Sequence, residues 1–597
     1  MHDSNDSNEY DSRKLYLMEM LTQTLGINTM LYIPHIAVAW GAAGNAISLV
    51  LIYISIGIPL LYMENVVGQF TGRDCLEVWY ARSCLSHFGY FHICWQALYL
   101  IYLHTLNSLL LHYLIISFEN PIPYYACGRW SKSNCGILSH NYSVNQECLK
   151  IKPPLPYCTK LYETFPEYQY YRFFILGHDK TSYFLAWRVS VASAVLSVFL
   201  FLCCIKRRYC LKWLLLFFSL FPVVARVIFM IGSMLQKGLV VKYEEAVDAD
   251  FTVFSQRFSL SNAISEVLYS LKVGTGLSFG TASRTSFRAP CYSNSVIVVI
   301  ITAAVIVLGI FSNVMMVCPY AFQYSVTPAV FMGYPLANIF EKMPRLIHMY
   351  EFSSLWLVLA YSFIAISSIG LSICILSSFI KLFGKRFLTI AQYSGLFSFV
   401  IAFSLYIVTT PLLGTMSRFV LVDIRRATNV LMLFMVMMEN FVFVHWYGLG
   451  KFSEDIHFMQ GVPPKATIKI CWLLLAVVLA YVFISQFIEL FSERNETLGS
   501  TVGFCILVMN IAGALTISTV KLLIGVYKKT FRELLRLDPT WGPKTVILQR
   551  SRAMFTAQAM TKEYIYRQYH LQAGILMRQK RSNVRNDKSG WPAVAQA

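Results

Sequence analysis

An all-α polytopic membrane protein with about twelve transmembrane helices is the fold class this sequence predicts. Three observations predict it. Of 597 residues, 56% are hydrophobic, and the mean hydropathy is +0.54. The apolar residues gather into runs of about 20 or more, the length a helix needs to cross hydrocarbon. Basic residues are kept out of those runs, in Lys206–Arg208, in Lys381–Arg386 and from Lys528 onward to Lys588. The positive-inside rule makes those segments cytoplasmic, and with them both termini. The net charge of +19, from 50 Lys+Arg against 31 Asp+Glu, is therefore a property of short loops and a tail. It does not call for nucleic acid. Met1–Lys14 is polar and the first apolar run carries no cleavage-site pattern, so no cleavable signal peptide is expected.

Taken in order, residues 1–14 form a cytoplasmic tail, and spans are expected near 15–40, 45–70, 90–118, 184–204 and 211–236. A second group follows near 261–287, 294–321, 352–382, 388–413 and 424–449. Two last spans, 467–492 and 501–527, lie in the segment 450–527 ahead of a basic cytoplasmic tail, 528–597, part helix and part disordered. The long polar loop 119–183 is extracellular, as are 237–258 and 322–350. Cys127, Cys135, Cys148 and Cys158 share the first of these loops, and four cysteines in an oxidising compartment allow three pairings. Asn141-Tyr-Ser and Asn495-Glu-Thr are glycosylation sequons on the side opposite the basic loops.

Two spans should be interrupted. In Ser261–Phe287 the apolar pattern meets LKVGTG, where Gly274 and Gly276 flank Thr275, and glycine costs a helix interior about 1 kcal/mol relative to alanine. Glu266 and Lys272 flank this break, and an ionisable residue at membrane depth is a functional-site hypothesis in its own right. The first span carries Gly26 and Pro34. Interrupted first and sixth helices mark a five-plus-five inverted repeat, 15–236 and 237–449, with a binding site between them.

The chain resembles the neurotransmitter:sodium symporter family over about residues 15–545. The resemblance rests on GIPLLYMENVVGQFTGRDCLEVW (Gly57–Trp79), HFGY (His87–Tyr90), CGRWSKSNC (Cys127–Cys135), HWYGLGKFSEDIHFMQGVPP (His445–Pro464), KICW (Lys469–Trp472) and DPTWGP (Asp538–Pro543). It implies a Cys127–Cys135 disulfide, with Cys148–Cys158 as a second bridge. It also implies sodium and chloride as coupling ions, and here the residues depart from the pattern. The position of the sodium-ligating asparagine is Thr29, that of the gating arginine is Tyr32, and the arginine's acidic partner is Asp423. The substrate-facing tyrosine of the third helix falls on Leu103, beside Tyr102. The hydroxyl pair of helix eight falls on Gly370 and Leu371, which offer no side-chain oxygen to a hard cation. Thr302 and Ile306 stand for an asparagine and a serine of helix seven.

From the chloride site Tyr62 and Ser270 are kept, while Glu266 replaces a glutamine and puts a carboxylate where an anion would bind. Lys272 takes a small residue's place in the unwound segment, Tyr269 matches the aromatic under the substrate, and Thr275 replaces the second aromatic. Oxygens at Thr22, Thr24, Leu25 and Ser367 remain as ligands of degraded ion sites. Gly26 sits where amine carriers of this family place a carboxylate, which favours an amino-acid-type solute. Glu64 and Glu439 match acidic positions that hydrogen-bond helices, and His104 reads as an interior histidine.

The reading that follows is a plasma-membrane carrier moving an amino-acid-like or related small solute by alternating access, with incomplete sodium and chloride sites. Its partners are the solute and the lipid bilayer, with no nucleic acid and no further cofactor. The alternative is a non-transporting relative that serves as a membrane binding or trafficking partner. Glu266 and Lys272 are expected to pair across the break, with Lys272 as a tethered replacement cation. No nucleophile–base pair, metal-ligand spacing or phosphate-binding loop stands out, so an enzyme is not expected.

Overall fold

The computed structural model describes residues 12–39, 41–136, 164–177, 185–205, 207–236, 243–244, 247, 257–323, 338–494, 497–538 and 540–555. Asn141, Asn495, Cys148 and Cys158 lie outside the described residues. Apolar runs without charges give long helices: α5 (Gly89–Ile116) and α11 (Ser353–Arg386) each continue for more than seven turns. Between them in the chain come α6 (Trp187–Ile205), α7 (Arg207–Met234), α8 (Arg257–Leu271), α9 (Leu277–Ala282) and α10 (Cys291–Gln323). After α11 come α12 (Ser394–Thr409), α13 (Arg425–Asn440), α14 (Leu449–Gln460), α15 (Ala466–Ser492), α16 (Leu498–Tyr527) and α17 (Val546–Met554). Among the described residues ten helices are long and apolar enough to cross a membrane.

Burial sorts these helices into an inner and an outer set. About four-fifths of the apolar window is inside the protein for Ser83–Ile116, Ser353–Arg386 and Gly414–Trp446. For Ser394–Leu412, Ala466–Ser492 and Leu498–Tyr527 the share is under three-tenths, so these face lipid.

The two interruptions stand where glycine and proline predicted them. Helix α1 (Arg13–Thr24) stops before Gly26, a wide turn runs over Asn28–Tyr32, and α2 (Ile33–Ala39) carries Pro34 in its first turn. The next crossing, α3 (Ala42–Ile52) and α4 (Ile58–Thr71), is joined through a similar wide turn at Tyr53–Gly57. Helix α8 ends at Leu271, and the link to α9 has positive φ at Lys272 (59°), Gly274 (75°) and Gly276 (80°). Gly274 is required twice over, because a Cβ there would be strained and would collide with Val436 of α13.

The Cys127–Cys135 disulfide is present, and Gly136 N donates to the Thr164 carbonyl, tying the loop back on itself. The start of the C-terminal tail is docked, and Val546–Met554 is the helical part expected of it. Asp538 N donates to the Ala81 carbonyl at 3.0 Å, the Trp541 ring stacks on Phe443, and Arg552 Nε donates to Asp455 Oδ1 at 2.6 Å.

Candidate substrate and ion site

The breaks in the first and sixth crossings lie side by side, and the buried charges converge there. Glu266, near the end of α8, accepts from Arg425 Nη2 at 2.7 Å on each oxygen and from Asn28 Nδ2 at 3.1 Å. The Arg425 guanidinium lies 3.7 Å from the centre of the Tyr32 ring and 5.4 Å from that of Tyr269. Tyr102 donates its hydroxyl to that of Tyr32 at 3.1 Å, and Tyr269 shares a 2.9 Å hydrogen bond with Thr428. A guanidinium from another helix is thus laid over Tyr32, the residue that the resemblance puts at the gating-arginine position. Arg425 was not among the predicted site residues, although an arginine opening an apolar span is the signal that would have found it.

The expected Glu266–Lys272 pair does not form. Lys272 Nζ donates instead to Tyr99 Oη at 2.9 Å and to the Tyr269 carbonyl at 2.7 Å, with both rings about it at 4.5 and 4.6 Å. The cause is local: the left-handed backbone at Lys272 turns its stem back onto the end of its own helix, one turn short of Glu266. Tyr99, four residues before the predicted Leu103, provides the aromatic hydroxyl of α5. Its ring stacks on Tyr102 at 5.4 Å, and Leu103 is buried.

Around the break, Thr275 donates its hydroxyl to the Lys272 carbonyl at 2.6 Å, and its own carbonyl accepts from Gln96 at 2.9 Å. Gly274 N donates to the Glu64 carboxylate. Glu64 therefore satisfies backbone freed by the break, which is a positioning role.

The residues assigned to degraded ion sites separate into groups. Thr24, Thr29 and Thr302 come together: Thr302 donates to Thr24 Oγ1 at 2.9 Å and Thr29 to the Thr24 carbonyl at 2.5 Å. Thr22 and Ser367 donate to carbonyls of their own helices, Met18 and Ile364. The Leu25 side chain packs with Met30 and Val305. Leu371 fills the space at Gly26, its Cδ2 lying 2.7 Å from where a Cβ would stand, and Gly370 backs onto Phe218.

Ser270 is bonded to the hydroxyl of Tyr53, not to Tyr62. Tyr62 lies nine residues further along, about half a turn round at 100° per residue, and stacks on Trp472 at 5.6 Å. Asp423 also points away from the site, against Gly499 and Gly503 of α16, so it is not the mate of the Tyr32 position. His104 is an interior histidine with both nitrogens bonded, to Ser197 at 2.9 Å and Thr409 at 3.0 Å.

On the side nearer the chain's start, Arg284 pairs with Glu19 at 3.0 Å and Gln23 donates to Thr281 at 2.9 Å, which ties α1 to α9. On the opposite side Glu266 and Arg425 keep 13% and 10% of their side-chain surface accessible, against 2% and 16% for Glu19 and Arg284.

A family profile described as the sodium:neurotransmitter symporter family matches residues 7–529. The chain belongs to that family. Among its relatives is a sodium- and chloride-dependent glycine transporter 1 from Xenopus laevis, 23% identical over 76% of this chain and 74% of the relative. A sodium-dependent nutrient amino acid transporter 1 from Drosophila grimshawi is 23% identical over 78% of this chain and 74% of its own length. A sodium-dependent dopamine transporter from Bos taurus is 22% identical, over 79% and 67% respectively. These relatives are transporters, which agrees with the absence of enzyme motifs. The interrupted crossings and their buried charges are thus features of a member of this family at low identity to its relatives.

Proposed function

We propose that this chain carries an amino-acid-like small solute across the plasma membrane by alternating access, with its own buried cations in the place of diffusible sodium. One observation carries the reading: Lys272 and Arg425 are both buried between the first, third, sixth and tenth crossings, where the resemblance implies sodium and a gate. The five-plus-five repeat supplies the rocking motion, with the Glu266–Arg425 pair over Tyr32 closing one side and the Arg284–Glu19 pair the other. Sodium has fewer oxygens to bind, because Gly370 and Leu371 supply none where the resemblance implies a hydroxyl pair, and Leu371 fills the space at Gly26. Glu266, already neutralised by Arg425, leaves no place for chloride.

The test is counterflow of labelled solutes in proteoliposomes of the full chain, with sodium chloride exchanged for choline gluconate. Exchange that is indifferent to both ions is expected; uptake that requires sodium overturns the tethered-cation reading. A second reading, a non-transporting binding or trafficking partner, is favoured by Leu371 filling the Gly26 position. Counterflow that stays at the protein-free level across the panel would select it.

A further inference from the structure

Pro34 stands in the first turn of α2, and proline has no N–H to give. In a continuous helix the residue at that place would donate to the carbonyl four positions back, that of Met30. Pro34 therefore strips a donor from Met30, inside the wide turn Asn28–Tyr32. Met30 is 1% exposed, so at membrane depth no bulk water takes the donor's place.

The missing donor comes from another helix. Arg226 of α7 donates Nη1 to the Met30 carbonyl at 3.1 Å. Its Nη2 donates to the Gly309 carbonyl at 2.8 Å and to Asn313 Oδ1 at 2.6 Å, both on α10. Pro34 packs on Gly309, where a Cβ would lie 2.7 Å from the proline Cγ and 3.5 Å from Nη2. The Phe363 ring of α11 covers the guanidinium, its centre 4.9 Å away. Arg226 is 2% exposed, and arginine keeps its charge inside proteins. Among the described residues no carboxylate pairs with it, and His35, which shares Asn313 at 3.1 Å, brings no negative charge. An intramembrane cation held only by carbonyl-type oxygens is expensive, and it calls for a role.

The turn that Arg226 holds from behind faces the site in front. Asn28, two residues before Met30, reaches Glu266, and Tyr32, two residues after it, lies under Arg425. We infer that Arg226 is a positioning residue: a tethered cation that replaces the donor lost at Pro34. In doing so it fixes Asn28 and Tyr32 against Glu266 and Arg425, and ties the first crossing to the fifth and seventh. This role lies beyond the carrier reading and serves a non-transporting relative equally, because it does not depend on passage.

The test is a double-mutant cycle between positions 226 and 34, read by amide exchange on the purified full chain in nanodiscs. Arg226→Met should speed exchange over residues 28–39 about tenfold or more, because a buried carbonyl is left without its donor. Exchange in the lipid-side helix α15 should change by under about twofold, since the opening is local. Pro34→Ala restores an N–H four residues after Met30. In that background Arg226→Met should speed exchange over 28–39 by less than about threefold. Arg226→Lys keeps a charged donor and should retain much of the protection that Arg226→Met loses.

Equal acceleration in the two backgrounds overturns the inference. So does acceleration spread evenly over all helices, or Arg226→Lys no better than Arg226→Met. Should Arg226→Met not fold, recovery of folded protein on adding Pro34→Ala supports the role, and no recovery overturns it. Should Pro34→Ala itself not fold, the comparison of lysine with methionine at position 226 decides.

Discussion

At the scale of the residue, Glu266 and Arg425 should behave as one unit. Removing one partner of a buried pair leaves an uncompensated charge, at a cost of about 3–5 kcal/mol, whereas removing both is often nearly neutral. Glu266→Gln and Arg425→Met should each lower thermal stability strongly, and the double variant should recover most of the loss. Lys272→Gln in place of Arg425→Met should rescue Glu266→Gln far less, since Lys272 makes its hydrogen bonds elsewhere. Equal rescue by the two would show that the pairing is wrong.

A second residue-scale prediction concerns Asp455 on α14, outside the membrane. Burial pushes its carboxyl above the usual range, and the Tyr447 hydroxyl and the Arg552 guanidinium partly offset this. Arg552→Ala removes the cation and raises that pKa further. At pH 7 it should cost about 1–3 kcal/mol, the price of a buried group left short of a partner. Because the folded state then holds the proton more tightly than the unfolded one, stability falls as pH rises from the ordinary aspartate value upward through the folded one. The deficit against wild type should therefore shrink as pH is lowered from 7 toward 4. A deficit independent of pH would place the loss in packing alone.

At the scale of the element, the break after α8 depends on Gly274. Alanine there meets left-handed strain of about 1–2 kcal/mol and overpacking against Val436 of about 1–3 kcal/mol. Gly274→Ala should lose about 2–5 kcal/mol of stability, visible as a lower Tm and a poor yield of monodisperse protein. Gly395→Ala, in the lipid-side helix α12 with nothing within 4 Å, is the control and should change stability by under about 1 kcal/mol. Similar losses at both glycines would remove the special role assigned to the break. These breaks were legible in the sequence because glycine and proline act on the backbone where they stand. The face that each tyrosine of the second crossing presents was not, because a wide turn at Tyr53–Gly57 and half a helical turn separate Tyr53 from Tyr62.

At the scale of the whole molecule, the start of the tail is part of the fold. Trp541 stacks on Phe443, Arg73 donates to Thr540, and Arg552 reaches Asp455, so residues 540–555 join the ends of the second and tenth crossings and α14. Truncation after Leu537 should lower Tm and speed amide exchange in α14 and around Arg73. Truncation after Phe555 keeps these contacts and should leave exchange at both places unchanged. If both truncations behave alike, the docking contributes nothing to stability.

The sequence by itself determined the polytopic helical class, the two interrupted crossings, the Cys127–Cys135 bridge and the depth of Glu266 and Lys272, though not of Arg425. Each of these follows from properties counted along the chain: apolar run length, glycine and proline, close cysteine spacing backed by the family motif, and the desolvation of an ion. Only the tertiary structure decided which charges meet. Glu266 finds Arg425 from 159 positions away, and Lys272 lies with Tyr99 of the third crossing instead of with the carboxylate on its own helix. Asp423, two positions from Arg425, faces the opposite way. A buried charge requires a partner but does not say which, and the choice falls to the packing of distant helices and to one left-handed residue at the break.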